Sequence, residues 1–353
     1  MHPASILTFY ARNVSEALFL GLQALQNSGV EVQTRNGPAL EFPTPVCTTY
    51  THPRERVLFY PTRDANPFFH LFESLWMLDG RNDVEWVARY NSRISQYSDD
   101  GVTFHGAYGY RWRKWFGFDQ LETAIDRLNT FPNDRRTVVT MWDPSADFQV
   151  DDHLADVPCN TQIYFSVREG LVEMTVTNRS NDLIWGAYGA NAVHMSILQE
   201  YVAARLELGV GRYHQFSNNL HAYVDILEKM KDIQAEYDPY LTLGKDGLSY
   251  NPPPLVDDHT TFDTELTTWI NERHLREDSD HYRTPFNNSF FELTATPMRI
   301  TWALWKDKKV KEAIDYAQTI EDKAWKKACV EWLTRRKELE KCPNYQKEST
   351  LVK

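Results

Sequence analysis

The sequence predicts a mixed α/β or α+β fold in which helices flank a sheet, and three stretches carry that expectation. Residues 13–29, NVSEALFLGLQALQNSG, repeat apolar side chains at helical spacing. Residues 160–180, NTQIYFSVREGLVEMTVTNRS, alternate apolar with polar on either side of a short turn, as a hairpin does. Residues 190–209, ANAVHMSILQEYVAARLELG, return to the helical period and end on glycine.

Taken in order, the first helix begins at Asn13, a residue type that caps helices, and Gly29 stops it. TRNGPALEF, residues 34–42, reads as a turn into a strand. In NPFFHLFESLWMLDG, residues 66–80, Asn66 is a natural N-cap, Pro67 suits the first helical position and Gly80 ends the helix. RRTVVTMW, residues 135–142, is a strand pattern that precedes the hairpin. NPPPLVDDH, residues 251–259, is the seam where the pattern changes. Beyond it, residues 309–341 are charged and helical.

Composition bounds the function. The 353 residues are 42% hydrophobic and 13% aromatic, enough for one large domain or two ordinary ones. A net charge of −11 opposes nucleic acid in general but leaves room for a local basic pocket around a small phosphate, such as a nucleotide. No run of eighteen apolar residues would span a membrane, and the opening residues lack the order of a signal peptide, so a cytosolic protein is expected. Cys47, Cys159, Cys329 and Cys342 lie far apart with no CxxC pair, which predicts free thiols and neither a disulfide framework nor a metal site.

Cys159 is the first candidate for chemistry. An isolated cysteine among aromatic and aliphatic residues is often a small buried hydrophobe. Pro158, however, forces the preceding residue to be extended, which puts Cys159 at a strand entrance. A thiolate there is a candidate nucleophile if positive charge lowers its pKa, and Arg35, Arg135, Arg136 and Arg179 are available to do so. The same four arginines, with the Ser180 hydroxyl, suit a dianion cradle, because guanidinium forks match phosphate oxygens; singly, each also reads as a solvated surface residue. Glu73 falls mid-helix among Phe69, Phe72, Leu75, Trp76 and Met77, where burial would disfavour its charge and suit it to acid–base work. Its other reading is a glutamate on the one solvated stripe of that helix. GRYHQFSNNLHAY, residues 211–223, is dense in groups that bind sugar hydroxyls or amides: His214, Ser217, Asn218, Asn219 and His221. His70 and His194, on expected helices, read as structural.

TRNG, HLFESLW, GAYGYRWRKW, NDRRTVV, PCNTQ, TNRSNDLIWG and HQFSNN occur in that order. This order and spacing resemble the thymidylate synthases and their relatives, the pyrimidine nucleotide hydroxymethylases, over residues 13–225. The resemblance implies a thymidylate synthase-like catalytic domain over residues 1–255 and a divergent helical extension over 256–353. It implies a homodimer that uses 5,10-methylenetetrahydrofolate and a pyrimidine nucleoside monophosphate. Cys159 matches the nucleophile that adds to C6 of the base, and Glu73 the glutamate that orders water and relays protons. Arg35, Arg179 and Ser180 match phosphate ligands, while Arg135 and Arg136 match the pair supplied by the other subunit. Tyr108 matches an active-site tyrosine, His214 a sugar ligand, Asn191 the asparagine that reads the base, and Asp182 the aspartate that holds the pterin.

The departures from the family pattern decide the expected reaction. Asn160 follows the cysteine where synthases carry histidine, Phe216 stands in place of a tyrosine, and WGAYGAN is one residue longer than the synthase loop. The segment NSRISQYSDDG, residues 91–101, lacks the tryptophan that shields the reactive methylene from water, and no C-terminal closure over folate is recognisable. Water admitted at that moment would give a hydroxymethyl product, with dUMP placed ahead of dCMP as substrate. The rivals are a thymidylate synthase making dTMP, a thiol hydrolase pairing Cys159 with His194 or His214, and a non-catalytic nucleotide-binding protein.

Overall fold

The computed structural model describes residues 5–148, 154–233, 239–244, 250–272 and 286–339. Asn13 caps helix α1 (Val14–Ser28), its side-chain oxygen accepting from the amides of Ser15 and Glu16. Asn66 caps α2 (Pro67–Leu78) in the same way, accepting from the Phe69 amide, with Pro67 at the first helical position. Gly80 follows that helix at φ +64°, a left-handed turn that glycine adopts without cost. Both helices therefore begin where their caps predict.

Among the described residues ten strands form two sheets. The larger runs β1 (Leu7–Ala11), β4 (Val46–Tyr50), β9 (Gly209–Ser217), β7 (Leu171–Asn178), β6 (Asn160–Arg168) and β5 (Val138–Thr140). The smaller runs β2 (Val30–Thr34), β3 (Gly37–Glu41), β10 (Leu220–Tyr223) and β8 (Asn181–Asp182). The expected hairpin is β6–β7, closed by Glu169 and Gly170 at φ 52° and 75°, the left-handed pair that matches strand twist in a two-residue turn. β1–β4, β7–β9 and β8–β10 pair in parallel, which makes the larger sheet mixed. β5 is shorter than its apolar run suggests, and on its outer edge the Gln120 side chain takes both backbone groups of Thr140.

Helices cover one face. α3 (Asn191–Arg205) packs on β7, β9 and α2, while α4 (Phe262–Asn271), α5 (Thr296–Lys306) and α6 (Lys323–Leu339) come from beyond the seam. They do not form a second core. Phe68 of α2 stacks near Trp302 and Trp332, with ring centroids at 5.3 and 5.6 Å, and Phe72 lies 5.6 Å from Trp269. One continuous cluster of buried apolar side chains extends from Ala11 to Leu333. The seam itself is tied down: Arg54 donates to the carbonyls of Pro252 and Pro253, and the Leu255 amide donates to Glu200 at 3.0 Å. Apolar contacts therefore run across residue 255. Among the described residues no helix is long and apolar enough to cross a membrane.

Candidate active site

Cys159 stands one residue before β6, and two groups fix its backbone. The Tyr108 hydroxyl oxygen accepts from the amides of both Cys159 and Asn160, each at 3.3 Å. Arg179, just past the end of β7, donates its own amide to the Cys159 carbonyl at 2.9 Å. Its guanidinium then wraps the proline turn, Nε donating to Pro158 O at 2.9 Å and Nη2 to Val157 O at 3.0 Å, and reaches 3.9 Å from Cys159 Sγ. The Trp142 ring flanks that guanidinium. A β-bulge at the start of β6 aims this corner: Asn160 faces Asn178 while Gln162 already faces Thr177.

The expectation that arginines would lower the thiol's pKa meets a stronger opposing effect. Burial pushes the Cys159 thiol up, while Arg179 and Arg35 pull it down and Asp156 and Asp182 add to the rise. Removing the anion from water outweighs two guanidiniums that themselves face solvent.

Glu73 is the one residue of α2 that is not fully buried, and its side chain is still only 12% exposed. Its carboxylate lies 3.0 Å from Nε2 of the buried His194, one turn into α3. His70, one turn earlier on α2, is held neutral: burial lowers its pKa well below the usual imidazole value, with Arg63 and His194 adding to that. Of the two histidines that read as structural, His194 thus sits against the carboxylate, and His70 neighbours His194.

Beside Cys159 runs a chain of buried amides. Asn160 Nδ2 donates to Asn191 Oδ1 at 3.4 Å, Asn191 Nδ2 to Asn181 Oδ1 at 3.0 Å, and Asn181 Nδ2 to Ser217 Oγ at 3.2 Å. Between Asn181 and Asn191 the backbone makes a π-helical turn, Leu183–Ala190, broken by non-helical torsions at Tyr188 and Gly189. That turn falls within the stretch expected to be one residue longer than the synthase loop, and single π-turns are common at functional sites. Asp182 caps the turn, Oδ1 accepting from the amides of Ile184 and Trp185 at 2.8 and 2.6 Å. Burial raises its carboxyl and lowers the neighbouring His221 imidazole. Arg63 closes this end: Nε donates to Ile184 O at 2.9 Å, and the guanidinium lies 4.1 Å over the half-exposed Trp185 ring. Burial pushes Arg63 down to about 10 against the pull of Asp182 and Asp64.

A family model described as thymidylate synthase matches residues 23–275, which is well over half of the chain. The chain belongs to the thymidylate synthase family. It is 46% identical to a deoxyuridylate hydroxymethyltransferase of Pseudomonas phage M6 over 341 residues, which is 92% of this chain and 93% of that one. It is 36% identical to a deoxyuridylate hydroxymethyltransferase of Bacillus phage SP01 over 205 residues, 55% of this chain and 53% of that one. The crystal structure of thymidylate synthase from T4 phage shares the fold, with a TM-score of 0.53 at 22% identity over 62% of this chain and 79% of that one.

Other residues of the family pattern sit on separate elements of the chain. Arg135 and Arg136 are exposed before β5, and Arg136 reaches Asp134 at 3.2 Å. Arg35 occupies the exposed β2–β3 turn and still acts on the Cys159 thiol. Ser180 is half-buried beside Arg179. His214 lies on the half-exposed face of β9, opposite to Ser217, with Nδ1 2.9 Å from Thr49 Oγ1. Cys47, Cys159 and Cys329 are free thiols, and Cys342 lies outside the described residues. Among the described residues no cluster of three or more acidic, histidine or cysteine side chains is placed to hold a metal ion.

Sequence reasoning missed Arg63, Trp185, Trp142 and Asn181 as members of this site. Asn181 and Trp185 stand inside the quoted TNRSNDLIWG, so proximity to Arg179 was the available signal. Arg63 offered none, because only folding brings the 61–64 turn to the π-helical segment.

Proposed function

We propose that the chain hydroxymethylates dUMP, moving the methylene carbon of 5,10-methylenetetrahydrofolate to C5 of the base, with water supplying the hydroxyl oxygen and tetrahydrofolate leaving. The observation that carries this reading is the Cys159 corner: a partly buried sulfur at a strand mouth, its backbone fixed by Tyr108 and its charge favoured by Arg179. The name and extent of the Pseudomonas phage M6 relative support the choice of reaction within the family.

In this reading the Cys159 sulfur, once deprotonated, adds to C6, which makes C5 nucleophilic. Arg35, Arg179 and Ser180 take the phosphate, Asn191 the base and His214 the sugar. Glu73, steadied by His194, holds and deprotonates the water. The site fits a folate. The Trp185 ring offers a flat half-exposed face, and Asp182 keeps one carboxylate oxygen beyond the one spent on capping. When bound, that co-substrate supplies the one-carbon unit. Tyr97, the aromatic of the segment that lacks tryptophan, is 48% exposed, which suits a site open to water. We take the enzyme to act in the cytosol as a homodimer, with Arg135 and Arg136 of each copy serving its neighbour's phosphate. Residues 1–255 carry these groups, and 256–353 supply the helices that back α2.

The test is product analysis in heavy-oxygen water. The nucleotide is expected to gain one carbon and one labelled oxygen without a rise in dihydrofolate absorbance, and Cys159→Ala to give no product. Stoichiometric dihydrofolate with an unlabelled methylated nucleotide would instead make the chain a thymidylate synthase.

A further inference from the structure

A side-chain amide that reads a pyrimidine must present one donor and one acceptor side by side. Uracil offers N3–H and the O4 acceptor; cytosine offers the N3 acceptor and the 4-amino donor. The same amide serves either base, in opposite orientations. Base preference then depends on what stops the reading amide from turning over.

For Asn191 the protein supplies that stop. An amide oxygen cannot donate, so Asn181 Oδ1 at 3.0 Å holds the Nδ2 end of Asn191. An amide nitrogen cannot accept, so Asn160 Nδ2 at 3.4 Å holds the Oδ1 end. The Asn181 hold is the tighter of the two, and it is itself anchored, since Asn181 Nδ2 donates to Ser217 Oγ. Asn160 is anchored at one end only, its Oδ1 having no hydrogen-bond partner among the described residues. All four side chains are buried, so water offers the amides no alternative. Gly186 lies directly against the pair: a Cβ there would stand 2.6 Å from Asn181 Oδ1 and 3.3 Å from Asn191 Nδ2.

We propose that Asn181, packed against Gly186, is a positioning residue that fixes the orientation of the Asn191 amide and thereby sets uracil over cytosine, with Asn160 as the weaker second hold. This rests on the reading above, in which Asn191 meets the base and dUMP is the substrate. Turning Asn191 over would bring two amide oxygens together unless Asn181 turned as well.

The experiment compares kcat/KM for dUMP and dCMP, and the dissociation constants of both nucleotides without folate, in four proteins. The wild type is expected to favour dUMP. Asn181→Ala is expected to lower the dUMP-to-dCMP ratio about tenfold, as loss of one oriented buried hydrogen bond does. Asn181→Asp keeps an acceptor facing Asn191 and is expected to hold the ratio within about threefold. Gly186→Ala removes no hydrogen-bonding group, yet is expected to lower the ratio as Asn181→Ala does. It also provides the test if Asn181→Ala fails to fold. An unchanged ratio in Asn181→Ala or Gly186→Ala, beside a wild type that favours dUMP, overturns the positioning role alone. An equal loss in Asn181→Asp overturns it too, since a merely structural asparagine would not be rescued by a matched acceptor. A wild type that neither binds nor converts dUMP overturns the functional reading instead.

Discussion

At Cys159 two influences of opposite sign meet, and their balance is measurable. Burial raises the thiol above the ordinary cysteine value while Arg179, 3.9 Å away, favours the thiolate. Because the thiolate is the reactive form, alkylation by iodoacetamide is expected to rise about tenfold per pH unit between pH 6 and 8. Its midpoint should lie above that of an exposed cysteine. Arg179→Ala removes the charge that lowers the pKa, so the midpoint moves further up and the rate at pH 8 falls several-fold. A profile that is flat over that range, or a faster Arg179→Ala enzyme, would sink this account. At this scale the sequence was most informative where neighbours in the chain are neighbours in space. Cys159 and Arg179 meet because a hairpin returns the chain, and the hairpin is legible. His194 was not legible as Glu73's partner, since nothing in either helix tells which turn of α3 faces which turn of α2.

Elements were legible to the extent that their signals are local. Asn13 and Asn66 mark helix starts through their own side chains, and Glu169–Gly170 marks the hairpin through its backbone torsions. The parallel pairs β1–β4, β7–β9 and β8–β10 join strands distant in sequence, so alternation predicts the strands but neither their partners nor their division into two sheets. The π-turn at Leu183–Ala190 appeared in the sequence as one residue too many, with no indication of its shape. Its shape has a cost elsewhere in α1. Tyr188 is fully buried with its hydroxyl 2.8 Å from Thr48 Oγ1, and a Cβ on Gly21 would stand 2.3 Å from its ring. Alanine in a helix is favoured over glycine by about 1 kcal/mol, whereas overpacking a core costs about 1–3 kcal/mol. The ring is held by its hydrogen bond and cannot swing aside, so packing wins. Gly21→Ala is expected to lower the denaturant midpoint, and a raised midpoint would show that the Tyr188 ring shifts freely.

For the whole molecule, one chain places Arg136 79% exposed, with its guanidinium against Asp134. If Arg136 serves a neighbouring copy, inactive Arg136→Ala and inactive Cys159→Ala proteins should complement on mixing. Random exchange makes half the dimers mixed, each with one intact site of two, so recovery should approach about a quarter of wild-type activity. No recovery after verified exchange would place the whole site in one chain. The larger scale also sets an order in time. α2, which carries Glu73, leans on Trp269, Trp302 and Trp332, and Arg335 and Arg336 of α6 grip Asp64 at its approach. At about 5–20 residues per second, synthesis from Phe68 to Trp332 lasts on the order of ten to fifty seconds. Throughout that interval the Phe68 side of α2 lacks its Trp332 cover, and α6, the last made of the described helices, completes it.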